Sequence, residues 1–225
     1  MVKWASLINK QIQSSRLKKK LAKVKSAYSL NPCIAVSREP CSRSRLITRK
    51  ISKSLKIRFY DKELVDMIAK ESKKRRELID ALDEKTQDTI GNIINSFLGL
   101  ESLPEYSYIK NLSRVVCGIS ACHPAVIVGR GANFILPEKT VLRVRIIAPF
   151  EIRVEHAIKD EKINEKKAKK KLIKVHRQRK EFISKYFNKN ISNANYYDLV
   201  LNTKYLAVNQ TVEIIITAFK ERFLN

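Results

Sequence analysis

The stretch CIAVSREPCSRSRLITRKIS, from Cys33 to Ser52, decides the fold. It joins an apolar run to a short polar turn, and a helical pattern follows the turn. A strand, a tight loop and a helix in this order present backbone N–H groups and a helix N-terminus to a phosphate. Three arginines in the turn suit an anion: Arg38, Arg43 and Arg45. The turn contains no glycine, although a phosphate-cradling loop usually needs glycine for positive φ and close backbone approach.

The composition indicates a strongly basic chain with a substantial core. Its 225 residues, 44% of them apolar, suit one α/β domain with an insertion, or a domain with appendages. The 46 basic and 22 acidic residues give a formal net charge of +24, which favours phosphate-rich partners and a salt-dependent surface. No run of about 18 apolar residues occurs, so we expect no transmembrane segment, and the chain is predicted to be cytoplasmic.

The cysteines and histidines do not indicate zinc. The four cysteines include no CxxC pair, and none of the three histidines has a ligand spacing to a cysteine pair. Cys33 lies in a predicted buried strand and Cys117 in an apolar helix. Both are therefore expected to be reduced and structural.

Residues 1–30 are predicted to form a basic amphipathic helix, with eight basic residues and no acidic one. Two interpretations stay open. The helix docks on a membrane or on nucleic acid through its basic face, or it packs on the domain through its apolar stripe and leaves the lysines solvated. The dipeptide at 31–32, Asn-Pro, ends this helix before the first strand.

Four more strands are predicted after the first, at 56–60, 125–129, 141–148 and 198–202. Helical patterns separate them. The first covers 46–55, and the second covers 61–120 with a loop around 99–106. A third covers 151–186 with a break near 163–164, and the last covers 211–223. Strands that alternate with helices indicate an α/β fold with a parallel sheet covered on both faces.

Polar residues and glycines follow the predicted strands. Ligands of parallel sheets bind beyond the carboxyl ends of the strands. Those ends hold residues 37–38, 60–61, 129–131, 149 and 202–203. Gathered on one rim, with helical insertions able to close over it, they have the layout of a small-ligand kinase.

Five segments resemble the cytidylate kinase-like family, a branch of the P-loop nucleoside monophosphate kinases. They are SRE at 37–39, FYDKEL at 59–64, VIVGRGANFIL at 126–136, AP at 148–149 and YDLVLNT at 197–203. The resemblance covers roughly residues 33–223. It implies a three-layer α/β/α P-loop NTPase fold around a five-stranded parallel sheet. Within a domain at 31–225, it implies a helical NMP-binding insertion at about 62–120 and a lid at about 151–187.

The resemblance also implies a site and a reaction. ATP and Mg²⁺ would bind the phosphate loop, and CMP or a related nucleotide would bind under the insertion as the phosphoryl acceptor. By this resemblance the catalytic residues are Arg130, Arg153 and Arg179. The residues for ATP are Glu39, Pro40, Cys41, Ser42, Arg43, Ser44 and Arg45, and those for the substrate are Arg38, Asp61, Gly129, Arg130 and Gly131. Asp61 has an alternative role as the N-cap of the following helix.

The phosphate loop departs from the family pattern. Cys41, Arg43 and Ser44 occupy the places of three glycines, and Leu46 replaces an acidic residue. The three substitutions are expected to force φ < 0 or to put a side chain where phosphate belongs. There is no Walker lysine, and Arg45 is the nearest cation.

Other positions leave alternatives open. The Mg²⁺ ligand is open among Ser42, Ser44 and Thr48. His176 stands where the lid pattern has Asp, which changes the acid–arginine pairing there. Arg177 and Arg179 lie in a basic helix, for which a solvated face is an alternative to a catalytic role.

Two functions follow. The first is a nucleoside monophosphate kinase-like enzyme. The second is a catalytically inactive relative that binds nucleic acid or an anionic surface through its basic helices. The sequence leaves the acceptor base and the oligomeric state open.

Overall fold

The structure is a computed structural model, and it describes residues 30–98 and 107–224. The predicted N-terminal helix and the predicted loop around 99–106 lie outside these residues.

A parallel sheet of five strands forms the centre of the described chain. The strands are β1 (Cys33–Arg38), β2 (Arg58–Tyr60), β3 (Ala125–Val128), β4 (Val141–Ile147) and β5 (Leu199–Asn202). Their order in the sheet is β2-β3-β1-β4-β5, and every neighbouring pair is parallel. The predicted α/β class and the five-stranded sheet are confirmed. The central position of β1 places the loop that follows it in the middle of the carboxyl edge.

Nine helices are assigned in the described ranges. They are α1 (Ser44–Leu55), α2 (Lys62–Lys70), α3 (Ser72–Asp80), α4 (Glu84–Leu98), α5 (Ser107–Cys122), α6 (Ala132–Ile135), α7 (Phe150–Glu161), α8 (Glu165–Phe187) and α9 (Val208–Phe223). Helices α2–α5 separate β2 from β3, and α7 and α8 separate β4 from β5. None of the helices in these ranges is long and apolar enough to cross a membrane.

Capping side chains explain where two functionally placed helices begin. The Asp61 carboxylate accepts a hydrogen bond from the backbone N–H of Leu64 at 3.0 Å, so it is the N-cap of α2. The Asn164 side chain caps α8 in the same way, through the N–H of Lys167 at 2.9 Å. The predicted break near 163–164 is therefore where α7 has ended and α8 begins.

Alternating side chains of the strands build two cores on opposite faces of the sheet. Cys33 and Ala35 of β1 pack in a core with helices α2–α6. Ile34 and Val36 pack on the other face with α1 and α9. The result is three layers, with the sheet between two helical layers.

Burial shields two thiols in the first of these cores. Desolvation raises the pKa of Cys33 to about 11 and that of Cys117 to about 12. Both cysteines are free and fully buried, as the sequence predicts.

A third, smaller core lies within α7 and α8. Val154, Ala157, Ala168 and Leu172 are buried in it. The side chain of Cys41, from the loop after β1, packs against this cluster. Helices α7 and α8 are therefore packed against the loop that follows the central strand.

Candidate functional site

A cavity of about 480 Å³ lies at the carboxyl edge of the sheet. The loops after β1 and β3 form its floor, and helices α2 and α8 contribute its walls. Four arginines line it: Arg38, Arg45, Arg130 and Arg179. This is the rim where the sequence predicts a ligand, because parallel strands present their carboxyl ends to one crevice.

The loop after β1 keeps a left-handed backbone at two places that the sequence comparison assigns to glycine. Cys41 and Arg43 both have φ 58°. The expectation that these side chains force φ < 0 is wrong for both residues. Ser44 has no positive φ and begins α1 in the ordinary right-handed region. The strand before and the helix after fix the path of the loop, and the two residues accommodate it at a cost in local strain.

The backbone amides of this loop are available to a ligand. Within residues 30–98 and 107–224, the N–H groups of Cys41, Arg43, Ser44 and Arg45 donate no hydrogen bond. Consecutive unpaired N–H groups at the start of a helix attract an anion through their partial charges. The loop can therefore cradle phosphate oxygens although it contains no glycine.

Hydroxyl groups under the loop hold its shape. The fully buried Ser42 hydroxyl donates to the carbonyl of Glu39 at 2.9 Å, and the fully buried Thr48 hydroxyl donates to that of Ser44 at 2.7 Å. Thr203, after β5, donates to the carbonyl of Ser42 at 3.3 Å. In the described ranges, no group of three or more His, Cys, Asp and Glu side chains could hold a metal ion.

Glu39 and Arg153 lie beside the cavity and form one small network. The Arg153 Nε atom donates to the carbonyl of Ala148 at 2.9 Å and lies 3.4 Å from Glu39 Oε2. The same carboxylate oxygen accepts the N–H of Ala148 at 3.1 Å. Arg153 is buried, and its Nη1 atom has no hydrogen-bond partner in the described part of the chain. Arg153 does not line the cavity.

Arg38 and Arg179 form the cationic centre of the cavity. Arg179 reaches from α8 and donates through Nη1 to the carbonyl of Arg38 at 2.8 Å. Burial, and next the charge of Arg179, lowers the pKa of Arg38 to about 9. Burial also lowers the pKa of Arg179. Neither guanidinium forms an ion pair with any described residue. The sequence alternative of a solvated face thus fits the exposed Arg177, which pairs with Glu181 at 3.5 Å, and not Arg179.

Arg130, between β3 and α6, has a carboxylate partner. Its Nε atom donates to Asp66 Oδ1 at 2.5 Å, and its Nη2 atom donates to Asp66 Oδ2. Its guanidinium carbon lies 4.9 Å from the ring centre of Phe182. Arg130 has φ 56°, between Gly129 at 83° and Gly131 at 69°. Glycine is required at both flanks, because the backbone is left-handed and side chains approach closely.

The other predicted substrate residue, Asp61, caps α2 and does not line the cavity. Residues Pro40 and Cys41 do line it, whereas Ser42, Arg43 and Ser44 do not. His176 is half-buried, and its pKa is lowered, chiefly by burial.

Sequence reasoning missed two residues of this region. Asp66 resembles any exposed acidic residue of an amphipathic helix, so no local signal identifies it. Arg145 is almost fully buried in β4, where its Nη1 atom donates to the Ser37 hydroxyl at 2.9 Å and its guanidinium lies 5.6 Å from the ring centre of Tyr197. An arginine inside an apolar β-strand was the signal for it, since buried charges are seldom without a role.

Three solved structures are similar to this chain to different degrees. A solved structure of an uncharacterized protein from Eubacterium ventriosum superimposes with a TM-score of 0.60 at 20% identity, covering 84% of this chain and 99% of the other. A shikimate kinase from Bacteroides thetaiotaomicron gives a TM-score of 0.42 at 11% identity, with 84% and 96% covered. A shikimate kinase from Aquifex aeolicus gives 0.40 at 19%, with 86% and 99% covered.

No curated protein matches the chain. The profile of the cytidylate kinase-like family matches residues 33–205, which include all five strands and the cavity. The chain belongs to the cytidylate kinase-like family.

Proposed function

We propose that the protein is a phosphotransferase that moves a phosphoryl group from ATP to CMP or a related nucleotide. The observation that carries this proposal is the cationic cavity. Arg38 and Arg179 are half-buried there and form no ion pair with a described carboxylate, although Glu63 lines the same cavity and its charge partly offsets the lowering of their pKa values. Arg130 lies beside them. Buried charges of one sign repel each other, so their protonated forms are stabilised when an anion binds between them.

The floor of the cavity offers separate places for a donor and an acceptor. The unpaired amides of the loop after β1 suit the phosphates of ATP. Arg130 and Arg38, at the ends of the neighbouring strands β3 and β1, suit the phosphate of the acceptor. In-line transfer needs the two phosphates side by side in a space that excludes water.

The lid contributes the remaining cation. Arg179 projects from α8 to the carboxyl end of β1, where it would neutralise charge on the phosphoryl group in flight. Arg153 begins the lid on α7, and its buried network with Glu39 holds the start of the loop in place. A role for Arg153 on the phosphoryl group requires that its unpaired Nη1 atom turn toward the ligand.

Mg²⁺ fits this site in the manner usual for nucleotide kinases. Mg²⁺ takes oxygen ligands and retains several waters, so phosphates and one hydroxyl can suffice where no carboxylate cluster exists. Ser44 is the hydroxyl at the first position of α1, and those of Ser42 and Thr48 already donate to backbone carbonyls. When bound, the ion would neutralise negative charge on the phosphates.

The experiment is a measurement of ADP release from ATP and Mg²⁺ with each common nucleoside monophosphate, at high enzyme concentration. We expect turnover with CMP or a related nucleotide. Absence of turnover with every acceptor, from protein that binds ATP and Mg²⁺ calorimetrically, would contradict the proposal.

Arg130 provides the matched test of the acceptor site. Arg130→Met should reduce kcat/KM for the acceptor by at least about a hundredfold, since a preorganised charge on the phosphate is lost. Arg177→Met is the control, because Arg177 is exposed on the same basic lid and does not line the cavity. Equal activity of the two variants would exclude Arg130 from the site.

A second candidate function rests on the outer face of α8. Lys166, Lys167, Lys170 and Lys174 are exposed there and form no ion pair with any described residue. Ala168, Leu172 and Ile183 of the helix are buried, and Ile173 is 59% exposed. One exposed isoleucine among lysines favours a polyanion such as nucleic acid over insertion in a membrane. Binding to duplex RNA should then weaken steeply between about 50 and 200 mM salt. Undetectable binding at the lower concentration would exclude this function.

A further inference from the structure

We propose that Asp66 is the positioning residue that sets how Arg130 meets the acceptor phosphate. This inference rests on the proposed function only for the identity of the acceptor. The geometry concerns a carboxylate on α2 and a guanidinium at the end of β3, which come together beside the cavity. Neither residue type nor spacing in the sequence connects them, since 64 positions separate the two.

The contact between them is bidentate. Asp66 accepts from Nε and from Nη2 of Arg130, so the side edge of the guanidinium is occupied. The remaining N–H groups, on Nη1 and on the outer side of Nη2, are the ones that a ligand can use. The structure thus leaves the Nη1–Nη2 end of the guanidinium for the phosphate.

Two aromatic side chains, Tyr108 and Phe182, also hold Asp66 and Arg130 in place. Tyr108 of α5 donates its hydroxyl to Asp66 Oδ1 at 3.0 Å. Burial raises the pKa of Tyr108 to about 12, so the hydroxyl keeps its proton and continues to donate. Phe182 of α8 covers the guanidinium at 4.9 Å. Arg130 is thus held by α2, by α5 through Asp66, and by α8.

Three features distinguish Asp66 from a surface partner of an arginine. Its side chain is only 19% exposed and that of Arg130 only 17%. The flanking glycines allow the left-handed turn that aims Arg130 at α2. A guanidinium restrained on three sides loses little conformational freedom when the phosphate arrives. We therefore expect the acceptor to present a terminal phosphate. One side of this phosphate would contact the free end of Arg130, and Arg38 would contact its other oxygens.

The reaction test compares Asp66→Asn with the wild type and with Asp66→Glu. Asparagine keeps the size but has one acceptor oxygen and no charge, so Arg130 can turn away. We expect the KM of the acceptor to rise about tenfold with a smaller change in kcat and an unchanged KM for ATP. Asp66→Glu should recover part of the loss, and Tyr108→Phe should show a smaller effect of the same kind. Glu71→Gln is the control, because Glu71 pairs only with Lys74 at the surface.

A second measurement separates this inference from the proposed function. Calorimetric titration with inorganic phosphate, with Arg130→Met as the reference that identifies the part of the binding due to Arg130, reports the acceptor site without any turnover. Weaker phosphate binding by Asp66→Asn supports the positioning role even if no acceptor is phosphorylated. An unchanged or lower acceptor KM together with equal or tighter phosphate binding would overturn it, because Asp66 would then be a bystander or a competitor of the phosphate.

Discussion

Two loops leave the same edge of the sheet after neighbouring strands, and they reach a similar backbone with different residues. After β3, the sequence Gly129-Arg130-Gly131 carries three consecutive positive φ angles, and glycine carries two of them. After β1, Cys41 and Arg43 each adopt φ 58° with no glycine in the turn. The left-handed backbone is therefore imposed by the connection from strand to helix, and glycine lowers its cost without being its cause.

The difference lies in what the side chains do. Cys41 packs against the apolar cluster of α7 and α8, and its carbonyl lies 2.9 Å from His156 Nδ1. Arg43 lies 3.6 Å from Asp160. Glycine could make neither side-chain contact. At Gly131 the space for a side chain is filled by the ring of Phe187. The loop after β1 contacts α7 and α8 through its side chains, whereas the loop after β3 has no room for a side chain at Gly131.

The largest effect is expected at Gly131. A Cβ atom there would lie 2.4 Å from the Phe187 ring, on a backbone with φ 69°. Gly131→Ala should therefore lower the free energy of unfolding by about 3 kcal/mol, through strain and overpacking together. Urea denaturation measures it.

The control for this substitution is Gly91→Ala in α4. A Cβ atom at Gly91 meets nothing within 4 Å. In a helix interior the change should stabilise the protein by about 0.5–1 kcal/mol. Similar effects at the two glycines would show that the loop after β3 tolerates side chains as the loop after β1 does.

A smaller effect on the free energy of unfolding is expected at Arg43, where glycine is introduced instead of removed. Arg43→Gly removes the left-handed strain, worth about 1 kcal/mol. It also removes an ion pair with Asp160 whose partners are 26% and 51% exposed, and such pairs contribute little. We expect a net gain in the free energy of unfolding of up to about 1 kcal/mol, measured by urea denaturation.

Two further variants separate the contributions to the stability change of Arg43→Gly. Arg43→Ala loses the ion pair but keeps the strain, so the difference between alanine and glycine isolates the backbone contribution. Cys41→Gly loses packing with the lid cluster as well as strain, so it should stabilise less than Arg43→Gly. If Arg43→Gly destabilises the protein, the contacts with the lid outweigh the strain.

The smallest effect concerns pH and His176, which lies near Glu39 at the start of the loop after β1. Burial, opposed by Glu39 and reinforced by Arg153, lowers the pKa of this imidazole. As pH falls below about 6.5, the unfolded chain takes up a proton that the folded chain resists. Stability should decline slightly from that pH downward until the lowered pKa is passed. His176→Gln should reduce the change of the free energy of unfolding with pH in this range. An unchanged dependence on pH would contradict the role of His176.

The sequence allowed the fold to be predicted because its signals are local and strong. Buried parallel strands appear as continuous apolar runs such as AVIV at 125–128, and the residues that follow each run lie at one edge by topology. The strand ends pointed to Arg130, and the resemblance to the family pointed to Arg179; both line the cavity.

The rest of the site depends on contacts between distant elements. Asp66 contacts Arg130 only in the folded chain, because three further helices and β3 lie between them in the sequence. No pattern in either segment predicts this contact. The φ angles of Cys41 and Arg43 were misjudged for a related reason. Propensity describes what a residue prefers, whereas the strand, the helix and the lid decide what this loop adopts.

The two buried thiols, Cys33 on β1 and Cys117 on α5, can report how often the packed core opens. Thiolate is the form that alkylating reagents attack, and Cys33 and Cys117 hold almost none of it at neutral pH while β1 and α5 remain packed together. Their alkylation must wait until the central strand separates from that helix. The rate at which these sulfurs are alkylated therefore measures how often β1 and α5 separate. A ligand that binds at the carboxyl edge should lower this rate in proportion to the fraction of the protein that holds the ligand.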